Sequence, residues 1–325
     1  MIRALHQCCK TLAFAFVLSA ASFSYAQGYP TQMVTLVLPY SAGTGIDGAT
    51  RAIAEKLRER LGQSFIVQNK VGAAGNIGTD FVAKAAPDGN TILIVANTLA
   101  MNPSLYKSLP YDPLKDFEPV GMMLKGTMVL VAGQAVPAQN LAEFIKLARS
   151  QPGRLNYAST GVGTPQHLAM ELLKSTANLD LLHVPHRGAA EAVTSVMGGQ
   201  VEVMFVPIQS ALGALASGKL KALAVSSPER NASLPDVPSI AATLGVPFDV
   251  DLWYGMFVPK GTPPLIVKKL NAEILDILAL PDIKTILQAQ GLTASPSTPE
   301  GLTRMVSTDI DRWASVIKAA KISAD

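Results

Sequence analysis

Three side chains in this 325-residue chain have the residue types of a hydrolytic triad: Ser159, His167 and Asp47. A serine nucleophile, a histidine base and an orienting carboxylate catalyse hydrolysis when a fold brings them together. Nothing in their spacing selects this arrangement, and the sequence has no G-x-S-x-G elbow, H-E-x-x-H motif or P-loop. We therefore expect no catalytic residues, and an exported hydrolase that uses the Ser159 region stays as an alternative function.

Metal and thiol chemistry have few residues available. The only cysteines are Cys8 and Cys9, and beyond residue 26 the only histidines are His167, His183 and His186. Thiolate sites and histidine-rich metal sites need more ligands than this. We expect neither a metal nor a cofactor.

A glycine motif follows the first predicted strand, residues 34–39. Gly43, Gly45 and Gly48 form G-x-G-x-x-G at the start of a predicted amphipathic helix. A dinucleotide site also needs an acidic residue at the end of the next strand, where this chain has Gln68-Asn69-Lys70. A helix that begins directly after a buried strand has unpaired N–H groups and a partial positive charge. The motif therefore favours a small anion over a nucleotide.

Three turns share one design, a strand end, small residues and a helix start: residues 40–47, 159–164 and 185–188. In open α/β sheets such turns lie at the carboxyl ends of strands, where ligands bind. Glycine and proline also make tight connections that have no function. Because the three turns come from both halves of the chain, we favour a shared cleft.

Each polar side chain in these turns has more than one interpretation. Asp47 is either a first-turn acid of its helix, a ligand contact or a residue that holds its turn in shape. His167 follows Thr164, the predicted N-cap, and either caps that turn or touches the ligand. Arg187, beside His186, either pairs with a carboxylate through two hydrogen bonds or is a solvated surface residue.

The N-terminus predicts export. Arg3 and Lys10 flank a short apolar stretch, and Ser24-Tyr25-Ala26 is a cleavage site, so the mature protein would begin at Gln27 in the periplasm. Removing the signal lowers Lys+Arg from 27 to 25 against 24 acidic residues. The nearly neutral balance argues against nucleic acid. No later apolar run is long enough for a membrane helix.

Strands and helices alternate along the rest of the chain, which predicts an α/β fold with mostly parallel sheets flanked by helices. The pattern of residue composition begins again after residue 132, where a second series of strand–turn–helix units follows. The tail after residue 250 has no glycine-rich turns and reads as a return to the first lobe. We expect irregular structure at 102–119 and a proline-rich loop up to Pro247.

Motifs along the whole mature chain resemble one family. They include PYSAGTGID (39–47), NKVGAAGNIGTDFVAKAAPDGNTIL (69–93), STGVGTPQHLAMELLK (159–174), HVPHRGAAEAV (183–193) and WYGMFVPKGTP (253–263). In this order they resemble the periplasmic receptors of tripartite tricarboxylate transporters, the Bug-type solute-binding proteins.

The resemblance implies a two-lobed periplasmic-binding-protein fold, type II-like, with the ligand in a cleft between the lobes. Its divisions would be a signal peptide (1–26), lobe 1 (27–125), lobe 2 (126–249) and a segment returning to lobe 1 (250–325). In the family, backbone N–H groups and ordered water hold a ligand carboxylate. Asn97, at the polar end of the third predicted strand, is a further candidate. The candidate ligand-binding residues are therefore Tyr40, Ser41, Ala42, Gly43, Thr44, Asp47, Asn97, Ser159, Thr160, Gly163, Thr164, His167, His186 and Arg187.

This chain departs from the family pattern at three places. Residues 40–45 replace a usual P-P-G-G, Pro185-His186-Arg187-Gly188 replaces P-Y-K-G, and Val206 stands where an aspartate is frequent. An acid replaced by valine, together with an arginine, favours a ligand with a second carboxylate or an apolar body.

These features predict a monomeric, non-enzymatic receptor that delivers a small organic carboxylate to the membrane subunits of a transporter. The ligand would be a mono- or dicarboxylate, aromatic ones included. A receptor that reports to a sensor kinase is a further alternative.

Overall fold

The computed structural model describes residues 28–323, and the predicted signal peptide lies outside the described residues. The first lobe begins with β1 (Val34–Leu38), α1 (Gly45–Leu61), β2 (Phe65–Asn69), α2 (Asn76–Ala83), β3 (Thr91–Ala96), α3 (Thr98–Leu105) and β4 (Phe117–Gly126). The second lobe contains β5 (Met128–Gly133), α4 (Leu141–Ser150), β6 (Asn156–Ser159), α5 (Pro165–Ala177), β7 (Leu182–Pro185), α6 (Ala189–Met197), β8 (Val203–Pro207), α7 (Ile208–Ala216), β9 (Leu220–Val225) and α8 (Ile240–Leu244). The chain then returns to the first lobe through β10 (Leu252–Pro259), α9 (Pro264–Ala279), α10 (Pro281–Ala289), β11 (Leu292–Ala294) and α11 (Pro299–Ala320).

Each lobe is built on one sheet. The first has the strand order β11-β4-β10-β3-β1-β2 and the second β7-β6-β8-β5-β9. The α/β prediction is confirmed, but the prediction of mostly parallel sheets is wrong. Strands β2, β1 and β3 are parallel, as are β7, β6 and β8, whereas β10 and β5 run antiparallel to both of their neighbours and β11 antiparallel to β4.

The mixed direction of the strands results from where the chain passes between the two lobes. Strand β5 enters the second sheet from the side of the lobe junction, and β10 enters the first sheet from the same side. The strands that precede the glycine-rich turns run toward that junction, so the entering strands run against them. The carboxyl ends of β1, β3, β6, β7 and β8 consequently all face the space between the lobes.

Helix α1 shows how the local sequence positions the first site turn. Ala49, Ile53 and Leu57 recur every four residues and are buried on the core face. Full burial of one such large aliphatic side chain contributes roughly 1.5–3 kcal/mol. Gly62 ends the helix in the left-handed conformation, with φ +71°.

Several connections contain more structure than the sequence indicated. Residues 98–105 are helical although Pro103 lies inside the helix, because Leu99, Met101 and Leu105 are buried. The loop expected up to Pro247 contains α8, whose N-cap Ser239 accepts a hydrogen bond from the Ala242 N–H. In the tail, the helix α10 and the short strand β11 lie between α9 and α11, and α11 is one continuous helix of 22 residues.

The chain passes between the lobes at two places, residues 126–128 and residues 245–252, which we call the two crossings. Gly126 ends β4 and pairs with Leu252 at the start of β10, so the crossings lie side by side. No helix within residues 28–323 is long and apolar enough to cross a membrane.

Candidate functional site

The turn after β1 is held by the carboxylate of Asp47. Its Oδ2 accepts a hydrogen bond from the Gly43 N–H at 2.9 Å, and Gly43 has φ +80°, which favours glycine. Arg51 donates to both carboxylate oxygens, at 3.1 and 3.0 Å. Thr44 occupies the N-cap position of α1 without capping it, since its hydroxyl donates to the Ser41 carbonyl.

Asn69, at the end of β2, completes this arrangement. Its side-chain amide donates to the Tyr40 carbonyl at 2.9 Å and to Asp47 Oδ1 at 3.0 Å, and its Oδ1 accepts from Arg51 at 3.0 Å. Burial alone would raise the pKa of Asp47, but the hydrogen bonds from Arg51, Gly43 and Asn69 lower it below its usual value. Of the three roles considered for Asp47, the geometry favours holding the turn in shape.

Tyr40 also stabilises the turn after β1, through contacts with residues of the first sheet. Its hydroxyl accepts a hydrogen bond from the Ala96 N–H at 2.7 Å, and its ring packs edge-on against Tyr254 at 6.2 Å. Burial raises the pKa of the phenol to about 12. The side chain therefore attaches the turn to the end of β3.

With these contacts made, the outer face of the first turn presents backbone donors. Residues 41–44 are exposed. Within the described chain, the N–H groups of Ser41, Ala42 and Thr44 have no acceptor. Exposed backbone donors in a turn that leads into a helix N-terminus are suited to an anion.

The turn after β6 is built in a similar way by histidines. His167 Nδ1 accepts a hydrogen bond from the Gly163 N–H at 3.0 Å, and Gly163 has φ +75°. Thr160 donates to Gln166 at 3.1 Å, and Thr164 donates to the Gly161 carbonyl at 2.8 Å. Thr164 is at the N-cap position, as predicted, but its side chain makes no capping hydrogen bond.

His183 lies beneath this turn and was not among the candidate residues. Its ring stacks on His167 with 3.9 Å between centroids and on Tyr157 with 4.8 Å. Burial lowers the pKa of both histidines to about 4. Both rings are therefore neutral at neutral pH, and His167 carries its proton on Nε2 because Nδ1 is an acceptor.

Ser159 and His183 form the only part of a triad that the described residues bring together. Ser159 Oγ lies 2.7 Å from His183 Nε2, but Ser159 is fully buried and its Oγ also accepts a hydrogen bond from the Gly161 N–H at 3.1 Å. Asp47 is bonded within the other lobe. The proposed triad of Ser159, His167 and Asp47 is not formed, and the Ser159 hydroxyl shapes the turn instead.

The second turn also presents backbone donors. In the chain from 28 to 323, the N–H groups of Thr160 and Val162 have no acceptor. Val162 is exposed and Thr160 is partly exposed. Both lobes thus carry a turn whose interior bonds are complete and whose outer N–H groups are unused.

The turn after β7 places His186 and Arg187 at the same edge of the second sheet. The His186 N–H donates to the Ser159 carbonyl at 3.0 Å, and its Nδ1 lies 3.5 Å from Glu191 Oε1. His186 Nε2 is buried and has no partner among the described residues. Arg187 is exposed, and its N–H donates to Glu191 at 3.0 Å.

Asn97 directly follows β3 and is 1% exposed. Its side-chain nitrogen is 3.4 Å from the Asp251 carbonyl, while its Oδ1 finds no partner in the described part of the chain. Asn97 therefore lies at the junction between the first sheet and the second crossing.

Two close contacts join the lobes beside these turns. A Cβ placed on Gly163 would lie 2.8 Å from Leu105 Cδ1 of the first lobe. On the other side, a Cβ on Gly45 would lie 3.1 Å from Gln209 Nε2, and one on Gly291 would lie 2.7 Å from Gln209 Oε1. The absence of a side chain at Gly45 of the glycine motif therefore leaves space for the Gln209 side chain of the second lobe.

Sequence reasoning missed His183, Asn69, Arg51 and Gln209. For Asn69 a signal existed, because it occupies the strand end where a dinucleotide site would have its acid. For Gln209 the signal was its position two residues after the end of β8, as in the other site turns. For His183 no local pattern was available.

Comparison with known proteins agrees with the resemblance. A family model for the tripartite tricarboxylate transporter family receptor matches residues 49–322. The structure is similar to Rpa4515 of R. palustris with adipate (32% identity, 91% of this chain and 99% of that one, TM-score 0.82). It is also similar to the periplasmic binding protein BugD (34%, 91% and 99%, 0.80) and to MatC (Rpa3494) of Rhodopseudomonas palustris with bound malate (34%, 89% and 100%, 0.76). The chain therefore belongs to the tripartite tricarboxylate transporter receptor family, whose members are periplasmic solute-binding proteins of the Bug type and not enzymes.

Proposed function

We propose that this protein captures a small organic carboxylate between its lobes and delivers it to the membrane subunits of a tripartite tricarboxylate transporter. The observation that carries the proposal is the pair of turns with unused N–H groups, residues 41–44 and 160–162, one from each lobe. A carboxylate accepts several such hydrogen bonds at once, each contributing roughly 1.5–3 kcal/mol net. Export through cleavage after Ala26 and division of the lobes at residues 125 and 249 are part of the proposal.

The side chains in these turns have a supporting role in this proposal. Asp47, His167 and Ser159 each accept a hydrogen bond from an N–H of their own turn, at 2.9, 3.0 and 3.1 Å. Their effect is to fix the direction of the neighbouring N–H groups before the ligand arrives. Such preorganisation reduces the conformational entropy lost on binding.

We further propose a dicarboxylate as the ligand. Arg187 supplies an exposed guanidinium at the edge of the second sheet, and the unpartnered Nε2 of His186 lies in the same turn. Either group suits a second carboxylate. Two related structures were solved with adipate and with malate, which are both dicarboxylates.

A thermal-shift screen of mono-, di- and tricarboxylates, followed by calorimetry, tests the proposal. Gly43→Val should abolish binding, because valine is strained at φ +80° and its side chain enters open space in front of the N–H groups. Ser41→Ala is the matched control and should bind within about threefold of the wild type, since the Ser41 N–H remains. Normal binding by Gly43→Val would place the carboxylate elsewhere, and turnover of any ligand would contradict a receptor.

A further inference from the structure

The carboxylate of Asp251 connects both crossings to the second lobe through hydrogen bonds. Asp251 lies on the second crossing, and its Oδ2 accepts a hydrogen bond at 3.0 Å from the hydroxyl of Thr127, which lies on the first crossing. Its Oδ1 accepts at 2.5 Å from the hydroxyl of Ser226, at the end of β9. These two bonds therefore connect the three segments that meet where the lobes join.

The partners of Asp251 are themselves fixed. Ser226 and Met128 exchange two hydrogen bonds, Met128 N–H to Ser226 Oγ at 2.9 Å and Ser226 N–H to the Met128 carbonyl at 2.9 Å. The Thr127 carbonyl accepts from the Ile208 N–H at 3.1 Å, and Asn97 reaches the Asp251 carbonyl. Asp251 is therefore connected to the first lobe through Asn97 and to the second lobe through Ser226.

The surroundings of Asp251 disfavour its ionisation, chiefly through desolvation. Burial raises its pKa to about 6, and the neighbouring carboxylate of Asp249 adds to this, while the two hydroxyl donors and Lys125 of β4 act in the opposite direction. From α11, Arg312 donates to the Asp249 carbonyl and lies 4.0 Å from Asp309. No cation among the described residues forms an ion pair with the Asp251 carboxylate.

We propose that Asp251 is a positioning residue of the hinge, and that its protonation favours the arrangement in which the two lobes are in contact. The proposal rests on the ligand-binding cleft proposed above. An ionised Asp251 is poorly solvated in the present arrangement, and separation of the crossings would admit water to it. A neutral Asp251 gains much less from that water. Acidification therefore stabilises lobe contact in the absence of any ligand.

The size of the effect follows from linkage. If separation of the lobes lowers the pKa of Asp251 by one unit, the ratio of contacting to separated forms rises about fivefold between pH 7.5 and pH 5.0. The rise should begin near pH 6, the value for the carboxyl in the structure, and continue to about pH 5, one unit lower. Of the residues described, His167 and His183 have pKa values of about 4 and contribute little within this interval.

Single-molecule energy transfer on the ligand-free protein tests this proposal. Ile77 of the first lobe and Leu182 of the second are 56% and 53% exposed and can be replaced by cysteine for labelling. Cys8 and Cys9, the only native cysteines, lie in the predicted signal peptide and are left out by producing the protein from Gln27 onward. The fraction of molecules in the short-distance state is then measured from pH 7.5 to pH 5.0.

The wild type should show about a fivefold rise in the ratio of the two states, and Asp251→Asn should show none. Asp249→Asn, the matched control, should keep a pH response. Thr127→Val should move the midpoint to higher pH, because it removes a donor that favours the ionised carboxyl, and it preserves the test if Asp251→Asn does not fold. An unresponsive wild type, or an Asp251→Asn variant that responds like the wild type, would overturn the proposal.

The readout separates this proposal from the proposed function, because no ligand is present. A wild type that binds no carboxylate in calorimetry contradicts the receptor proposal and leaves the hinge result standing. A protein that binds carboxylates but shows no pH response at Asp251 contradicts only the hinge.

Discussion

Acidification from pH 7.5 to pH 5.0 should destabilise the protein through the stacked pair of His167 and His183. The His167 ring is buried and the partly buried His183 ring stacks on it, and this desolvation lowers the pKa of each from 6.5 to about 4. In the unfolded chain each ring takes up a proton near pH 6.5. The folded-state pKa is the lower one, so this stability is fully present above pH 6.5 and is lost as the pH falls toward 4.

The magnitude follows from the two pKa values. For one histidine that titrates at about 6.5 unfolded and about 4 folded, the free energy of unfolding falls by about 2 kcal/mol between pH 7.5 and pH 5.0. The rings face each other at 3.9 Å, so their titrations are coupled and the pair should contribute between about 2 and 4 kcal/mol.

The assay is urea unfolding at the two pH values for the wild type and for His167→Gln with His183→Gln. Carboxylates also titrate in this interval, and the difference between the two proteins removes their contribution. The doubly substituted protein should be less stable at pH 7.5 but should lose at least about 2 kcal/mol less on acidification. Equal losses in the two proteins would refute the assignment of neutral, buried rings.

Three further predictions concern binding. Gly163→Val should abolish carboxylate binding in calorimetry, because its Cβ would lie 2.8 Å from Leu105 Cδ1 at a φ of +75°; binding at wild-type affinity would contradict the lobe contact. Asn69→Asp should weaken binding about tenfold, since a donor to the Tyr40 carbonyl becomes a carboxylate beside Asp47; an unchanged dissociation constant would show that the turn needs no such donor. Arg187→Ala should weaken the binding of dicarboxylates about tenfold and leave the binding of monocarboxylates unchanged. Equal effects on both classes would contradict a contact between Arg187 and a second carboxylate.

The sequence predicted the strands well where they are continuous apolar runs bounded by proline or glycine. The strand Thr91–Ala96 is an example, because a buried strand is largely apolar and its ends need turn residues such as Gly89. Strand direction was not predictable in the same way. The antiparallel direction of β5 and β10 results from where the chain crosses between lobes, and neither crossing has a local sequence signal.

The side-chain clusters depend on register, which the sequence did not reveal. The pairing of β6 with β7 places Tyr157 opposite His183, and only that register brings His183 beneath the second turn. Likewise, the pairing of β1 with β2 places Asn69 opposite Leu38, next to Tyr40. A shift of one residue would turn each of these side chains to the other face of its sheet. Composition was therefore enough to predict the turns, but it did not predict the residues that hold them in place, such as His183 and Asn69.

Under the proposed function, recognition of a carboxylate and choice among carboxylates would belong to different parts of the cleft. The backbone of the two turns would recognise any carboxylate equally, because N–H groups contact only the oxygens common to all of them. Discrimination therefore requires side chains that meet the rest of the ligand. Polar atoms for this purpose lie at both edges, because Arg187 is exposed and neither His186 Nε2 nor Gln209 Oε1 has a partner within the described chain. Exchanging these residues should change which ligand binds, whereas altering the turns should remove binding of every ligand.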